Sequence, residues 1–198
     1  GSNGINKDFE KSAHLFKTAA SHGFIPSIYN YALMLYKGFG VKCDKKKAAH
    51  YFKIAADRGD VLSMKQLSSM FDKGDSVSVD HQLSAKYYKM AADLGDIDSI
   101  YYYGIKCANG DGVPVDYKTA VKCFKEAANN GNIKAYLNYA DLLDRGHGIK
   151  MNKKEAASIY KKAADNGCVD AMFNYANKLY YGDGIEEKKK EAAKYYKM

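Results

Sequence analysis

The chain repeats itself every 36 residues, and no other property narrows its folds as much. One glycine recurs as Gly23, Gly59, Gly95, Gly131 and Gly167, a second as Gly38, Gly74, Gly110, Gly146 and Gly182, with no insertion or deletion between them. Paired alanines keep the same step at Ala19-Ala20, Ala55-Ala56, Ala91-Ala92, Ala127-Ala128 and Ala163-Ala164. A fixed period of this length marks a solenoid of supersecondary units, none of which can bury its apolar face alone. The 198 residues therefore read as one elongated domain rather than as a pair of globules.

Each unit reads as two antiparallel helices. The first, helix A, is expected to run about eleven residues, from Ser27, Ser63, Ser99, Ala135 or Ala171 to the following glycine, too short to hold without packing. Stacking the units aligns its core columns: Ile28, Met64, Ile100, Tyr136 and Met172, then Tyr31, Leu67, Tyr103, Tyr139 and Tyr175. Beside the second column sit the small residues Ala32, Ser68, Gly104, Ala140 and Ala176, which let a neighbouring helix approach. A Gly-x-Gly loop with a β-branched residue follows, and the second unit departs by placing Ser76 in the glycine slot, where a positive φ would strain it. Helix B, roughly 45–58 and its equivalents, turns Ala49, Ala85, Val121, Ala157 and Ala193 inward together with Phe52, Tyr88, Phe124, Tyr160 and Tyr196. Asp8, Asp44, Asp80, Asp116 and Asn152 stand where an N-cap belongs, and Lys188 breaks that series.

The formal charge is +8, and only Arg58 and Arg145 among the 31 basic residues are arginines. Lysine is a point charge without the planar fork that reads phosphate and guanine, so a dedicated nucleic-acid reader is disfavoured and solvated lysine on outer helix faces is expected. Cys43, Cys107, Cys123 and Cys168 show neither paired spacing nor histidines at ligand distance, so no zinc site is expected; Cys107 and Cys123 occupy apolar columns and read as small core residues. A cytoplasmic or nuclear, reducing setting fits these thiols. Gly1 to Gly4 (Gly-Ser-Asn-Gly) are expected to be a tag remnant, and 5–198 a single solenoid excerpted from a longer protein, with units at 5–26 (half), 27–62, 63–98, 99–134, 135–170 and 171–198 (incomplete).

The succession of a small residue, Tyr beside Ala or Gly, Gly-x-Gly-Val, Asp, Lys-Ala-Ala, Tyr-Phe or Tyr-Tyr, and Ala-Ala-x-x-Gly resembles the Sel-1-like repeat, a relative of the tetratricopeptide repeat. The resemblance covers Asn6 to Met198. It implies an all-α, TPR-like solenoid: a right-handed superhelix of αα-hairpins with about five and a half repeats, helices A lining a concave face and helices B a convex one. It further implies an adaptor that assembles protein complexes. A cysteine-rich, secreted branch staples its hairpins with disulfides. The staple positions here hold Ala56 and Ser63, Ala92 and Ser99, Ala128 and Ala135, so that branch's hydrolytic role is disfavoured.

A polar column of helix A faces away from the core stripe. It comprises Asn30, Gln66, Tyr102, Asn138 and Asn174, then Lys37, Lys73, Asn109, Arg145 and Tyr181 one or two turns later. Amides donate and accept at once, which suits an extended peptide backbone, and cations add a preference for carboxylate. The expected function is a protein-interaction scaffold binding an extended, acidic peptide on this column, with Tyr29, Tyr101, Leu137 and Phe173 as flanking anchors or as contacts between units. No nucleophile with its base stands out, so no enzymatic activity, catalytic residue, metal or cofactor is expected. The alternative is a lysine-rich surface for nucleic acid or anionic membrane, partners less favoured than a protein; self-association through open solenoid ends is a further expectation.

Overall fold

The computed structural model describes residues 2–197, with side chains from residue 8 onward. Met198 and Gly1 lie outside the described residues, and the side chains of the expected tag remnant lie outside them too. The described residues form eleven α-helices and no strand. In chain order these are α1 (Ser2–Ser21), α2 (Ile25–Lys37), α3 (Lys45–Ala56), α4 (Val61–Lys73), α5 (His81–Asp93), α6 (Ile97–Asn109), α7 (Tyr117–Asn129), α8 (Ile133–Arg145), α9 (Lys153–Asp165), α10 (Val169–Tyr181) and α11 (Lys189–Tyr195). Even-numbered helices are the A helices and odd-numbered ones the B helices. The chain divides into two compact units, Gly1–Ser99 and Ile100–Met198.

Helix A spans 13 residues and starts two residues before the expected point. The signal was present as a second set of caps. Asp60 accepts from the amide of Ser63 at 2.7 Å, Asp96 from Ser99 at 2.8 Å and Asn132 from Ala135 at 3.0 Å. Phe24 and Cys168 hold the same slot without a side-chain cap, and Pro26 instead pre-sets the first turn of α2. The helix B caps fall where the sequence puts them, at Asp44, Asp80, Asp116 and Asn152. Lys188 caps nothing, and α11 has only 7 residues. Asp8 is a correction: α1 runs through it, the next amides are bonded within the helix, and its carbonyl accepts from Ser12 Oγ.

In the first unit Tyr31, Leu35, Phe52, Met64, Leu67, Met70 and Tyr87 form the core. In the second, Cys107, Phe124, Tyr139, Leu143, Tyr160, Tyr175 and Leu179 do so. Phe52 and Phe124 are essentially sealed, each side chain worth about 2–3 kcal/mol of burial. A column of small residues that the sequence reading passed over is sealed: Ala48, Ser84, Ala120, Ala156 and Ala192, all 0% exposed. From the facing helix Ser68 Oγ donates to the Ser84 carbonyl at 3.1 Å, and a Cβ placed on Gly104 would lie 2.9 Å from the Cβ of Cys123. Two expectations need adjusting. Cys123 is half-buried rather than core, and Ala193 and Tyr196 of α11 are exposed.

Consecutive repeats are clasped at one recurring pair of positions. Within each unit the residue between the two glycine slots of a loop meets the residue 30 positions earlier, on the preceding helix B. In the first unit Phe39 stacks on Phe9 with centroids 5.3 Å apart, and Asp75 accepts from Lys45 at 3.0 Å. In the second His147 packs on Tyr117 at 4.8 Å, and Asp183 accepts from Lys153 at 2.8 Å. The loop comes so close that a Cβ at Gly148 would sit 2.4 Å from the carbonyl carbon of Tyr117. Ser76 takes the same left-handed conformation at φ 62°, so the slot keeps its turn at the cost of strain, and its loop is tied down by Asp75, which also accepts from Tyr36 Oη at 2.6 Å.

Candidate functional site

The polar column of helix A is solvent-accessible in both units. In the first, Asn30 and Gln66 are half-buried and Lys37 and Lys73 exposed; Asn30 Nδ2 donates back to the carbonyl of Pro26 at 2.8 Å. Neither Lys37 nor Lys73 makes an ion pair among the described residues, and Lys37 lies 5.5 Å from the ring of Tyr36.

In the second unit the column residues converge. Asn109, Asn138 and Arg145 line a concavity of about 340 Å³ together with Tyr117, Asp141 and His147. Arg145, Asn174 and Tyr181 line an adjoining one of about 490 Å³ with Asp141, Asp144 and Lys178. The two share Arg145 and Asp141, whose Nε–Oδ1 contact of 2.9 Å one turn apart on α8 makes their common wall. Tyr102 stays outside both, 41% exposed, with its ring edge against Tyr101. A larger concavity of about 1050 Å³ beside α11, lined by Met172, Lys188, Glu191 and Tyr195 among others, contains none of the column residues.

The floor of the 490 Å³ concavity is ionic. Lys178 is 6% exposed, in the helix A slot held elsewhere by Met34, Met70, Leu142 and the likewise buried Lys106, and it donates to both Asp144 and Asp183. Hydrogen bonds from Lys153 and then Lys178 hold the Asp183 carboxyl below the usual carboxylate range. Burial, reinforced by Asp141 and Asp144, pushes the Tyr160 phenol far above its ordinary value, so it remains a neutral hydroxyl. Burial likewise raises the Cys107 thiol, which disfavours the reactive thiolate.

Of the flanking anchors, three serve packing. Tyr29 lies 5.8 Å from Phe52, Tyr101 lies 5.9 Å from Phe124, and Leu137 rests on the second unit's core. Phe173 is 56% exposed, 5.9 Å from the ring of Tyr196. The sequence reading missed Tyr117 and His147, which come from helix B and a loop, and Lys178, which looked like one surface lysine among many. The recurrence of 30-residue partners could have exposed the first two. All five histidines are exposed, as expected for surface positions.

Capped αα-hairpins on a strict period, with alanine columns between them, define a helical-repeat protein of the solenoid class. The chain belongs to the Sel1 repeat family: the family model, described as Sel1 repeat, matches residues 1–24, 25–60, 61–96, 97–132, 133–168 and 169–198, so about six repeats are present. Sel1 repeat proteins generally act as protein–protein interaction scaffolds, and the solenoid is typically non-catalytic. Among solved structures, the chain is similar to a protective antigen present in uropathogenic Escherichia coli strains, at 28% identity and a TM-score of 0.84 over 92% of this chain and 39% of that one. It thus spans about two-fifths of that relative's length. A Sel1 repeat protein from Oxalobacter formigenes aligns at 24% identity and a TM-score of 0.88, covering 97% and 79% of the two chains. The cysteine rich protein B of Helicobacter pylori aligns at 24% identity and 0.54, over 68% and 97%. No curated protein matches the chain in sequence.

Proposed function

We propose that the helix A column binds an extended peptide segment of another protein, with the second unit's adjoining concavities as its principal site. The observation that carries this reading is the shared Arg145–Asp141 wall, which puts amides and a guanidinium on both sides of one ion pair. Asn109 and Asn138 on one side and Asn174 and Asn177 on the other can each donate to a peptide carbonyl and accept from a peptide amide. Equivalent positions on neighbouring A helices are about 10 Å apart, which an extended chain covers in about three residues. Successive contacts therefore fall on every third residue.

The charge preference differs along the column. Lys37 and Lys73, which make no ion pair among the described residues, favour acidic residues at the first unit. The second unit balances Arg145 and Lys178 against Asp141, Asp144 and Asp183, so recognition there rests on hydrogen bonding. The four free thiols support a reducing, cytoplasmic or nuclear, setting for this role.

Peptide-library binding measured by fluorescence anisotropy tests the reading. Asn138→Ala with Arg145→Ala is expected to weaken the best peptides by tenfold or more, about 1.4 kcal/mol for the lost hydrogen bonds. Unchanged affinity for every peptide would remove the site.

A further inference from the structure

A different surface is strongly basic. On α7, Lys118, Lys122 and Lys125 stand at successive i, i+4 and i+7 positions, one helical face, and all are exposed. The period repeats that face on the next B helices of the same unit: Lys154 on α9, and Lys190 and Lys194 on α11, again all exposed. None of these six makes an ion pair among the described residues. Lys161, also in this array, is the exception, bonded to Asp165 at 2.8 Å. The acidic residues Glu126, Glu155 and Glu191 each follow one of these lysines directly, which turns them about 100° around the helix, off the lysine face. α9 and α11 are joined by Tyr195 Oη donating to Asp165 at 3.5 Å, which sets the two lysine-bearing helices side by side.

We propose that this outer face of α7, α9 and α11 docks on an anionic lipid surface. Its chemistry favours lipid headgroups over nucleic acid. The six are all lysines, strongly hydrated point charges, with no arginine fork for a phosphate or base edge and no aromatic ring among them for stacking. A fluid layer of anionic headgroups needs only positive charge in number and rearranges beneath it. No helix of the described residues is long and apolar enough to cross a membrane, so the docking is peripheral.

The test is co-sedimentation of the whole chain with phosphatidylcholine vesicles, with and without about one-third phosphatidylserine. Each docked lysine contributes about a fivefold factor in affinity. Binding is expected only with phosphatidylserine, to be strong at about 0.05 M salt and lost at about 0.5 M. Lys118→Gln with Lys122→Gln and Lys125→Gln should weaken it about a hundredfold, and Lys190→Gln with Lys194→Gln about twentyfold. Lys37→Gln with Lys73→Gln, on the helix A column, should change it by less than about twofold. The proposal is overturned if phosphatidylserine vesicles do not bind, if the column variant loses as much as the array variants, or if an oligonucleotide binds the array more tightly than the vesicles do. Peptide binding by the array variants stays intact, which separates this docking from the helix A site.

Discussion

Three positions show how strictly the repeat constrains single residues. Gly148 combines a left-handed φ of 71° with a loop pressed against the Tyr117 backbone, so no side chain fits even if the backbone were free to choose. Gly148→Ala is expected to cost about 3 kcal/mol or more, read as a lower denaturation midpoint. Ser76 is the same slot filled with an ordinary residue, held at φ 62° by its neighbours. Ser76→Gly should gain about 0.5–1 kcal/mol, the relieved strain less the larger unfolded-state entropy of glycine. Ser84 lies fully buried with its hydroxyl unpartnered, in a column where Ala48, Ala120, Ala156 and Ala192 are the other fully buried residues. Ser84→Ala should stabilise by about 1 kcal/mol in urea denaturation, because a desolvated hydroxyl without a hydrogen bond is removed.

At the scale of elements, stacking within each unit depends on the clasp between a loop and the preceding helix B. Two of its forms are aromatic, Phe9–Phe39 and Tyr117–His147, and two ionic, Lys45–Asp75 and Lys153–Asp183. The position is thus conserved as a contact while its chemistry changes. A double-mutant cycle on Tyr117 and His147 should give a coupling of about 1 kcal/mol that is insensitive to salt. The same cycle on Lys153 and Asp183 should give a coupling that fades as salt is added, since both partners face solvent. The sequence announces the helices through alanine pairs, cap residues and glycine stops. It did not announce the clasp, because its partners share no residue type and meet only once the hairpins stack. The early start of helix A was written in Asp60, Asp96 and Asn132, which were overlooked beside the glycines that precede them.

For the molecule as a whole, the many cross-helix carboxylate contacts make stability depend on pH with a definite sign. Asp57 is held below the ordinary range chiefly by the hydrogen bond from Lys53, and Asp183 by those from Lys153 and Lys178. A carboxyl with a depressed folded-state pKa contributes stability above its unfolded value, near pH 4, and loses it as pH falls through the folded value. The melting midpoint should therefore drop between about pH 5 and pH 2, and Asp183→Asn should narrow that drop, as followed by circular dichroism. The 36-residue period by itself determined the solenoid class, the helices and the core columns, since faces of a helix are fixed by local spacing alone. The polar column was visible for the same reason. Only the tertiary structure decided that Arg145 and Asp141 divide two concavities, that Tyr117 and His147 line one of them, and that Lys178 is buried between Asp144 and Asp183 in a slot filled by methionine or leucine in three repeats and by the buried Lys106 in another. The Lys178–Asp144 and Tyr117–His147 contacts link residues from different repeats, and a periodic pattern specifies which way a side chain points without specifying what will stand opposite it.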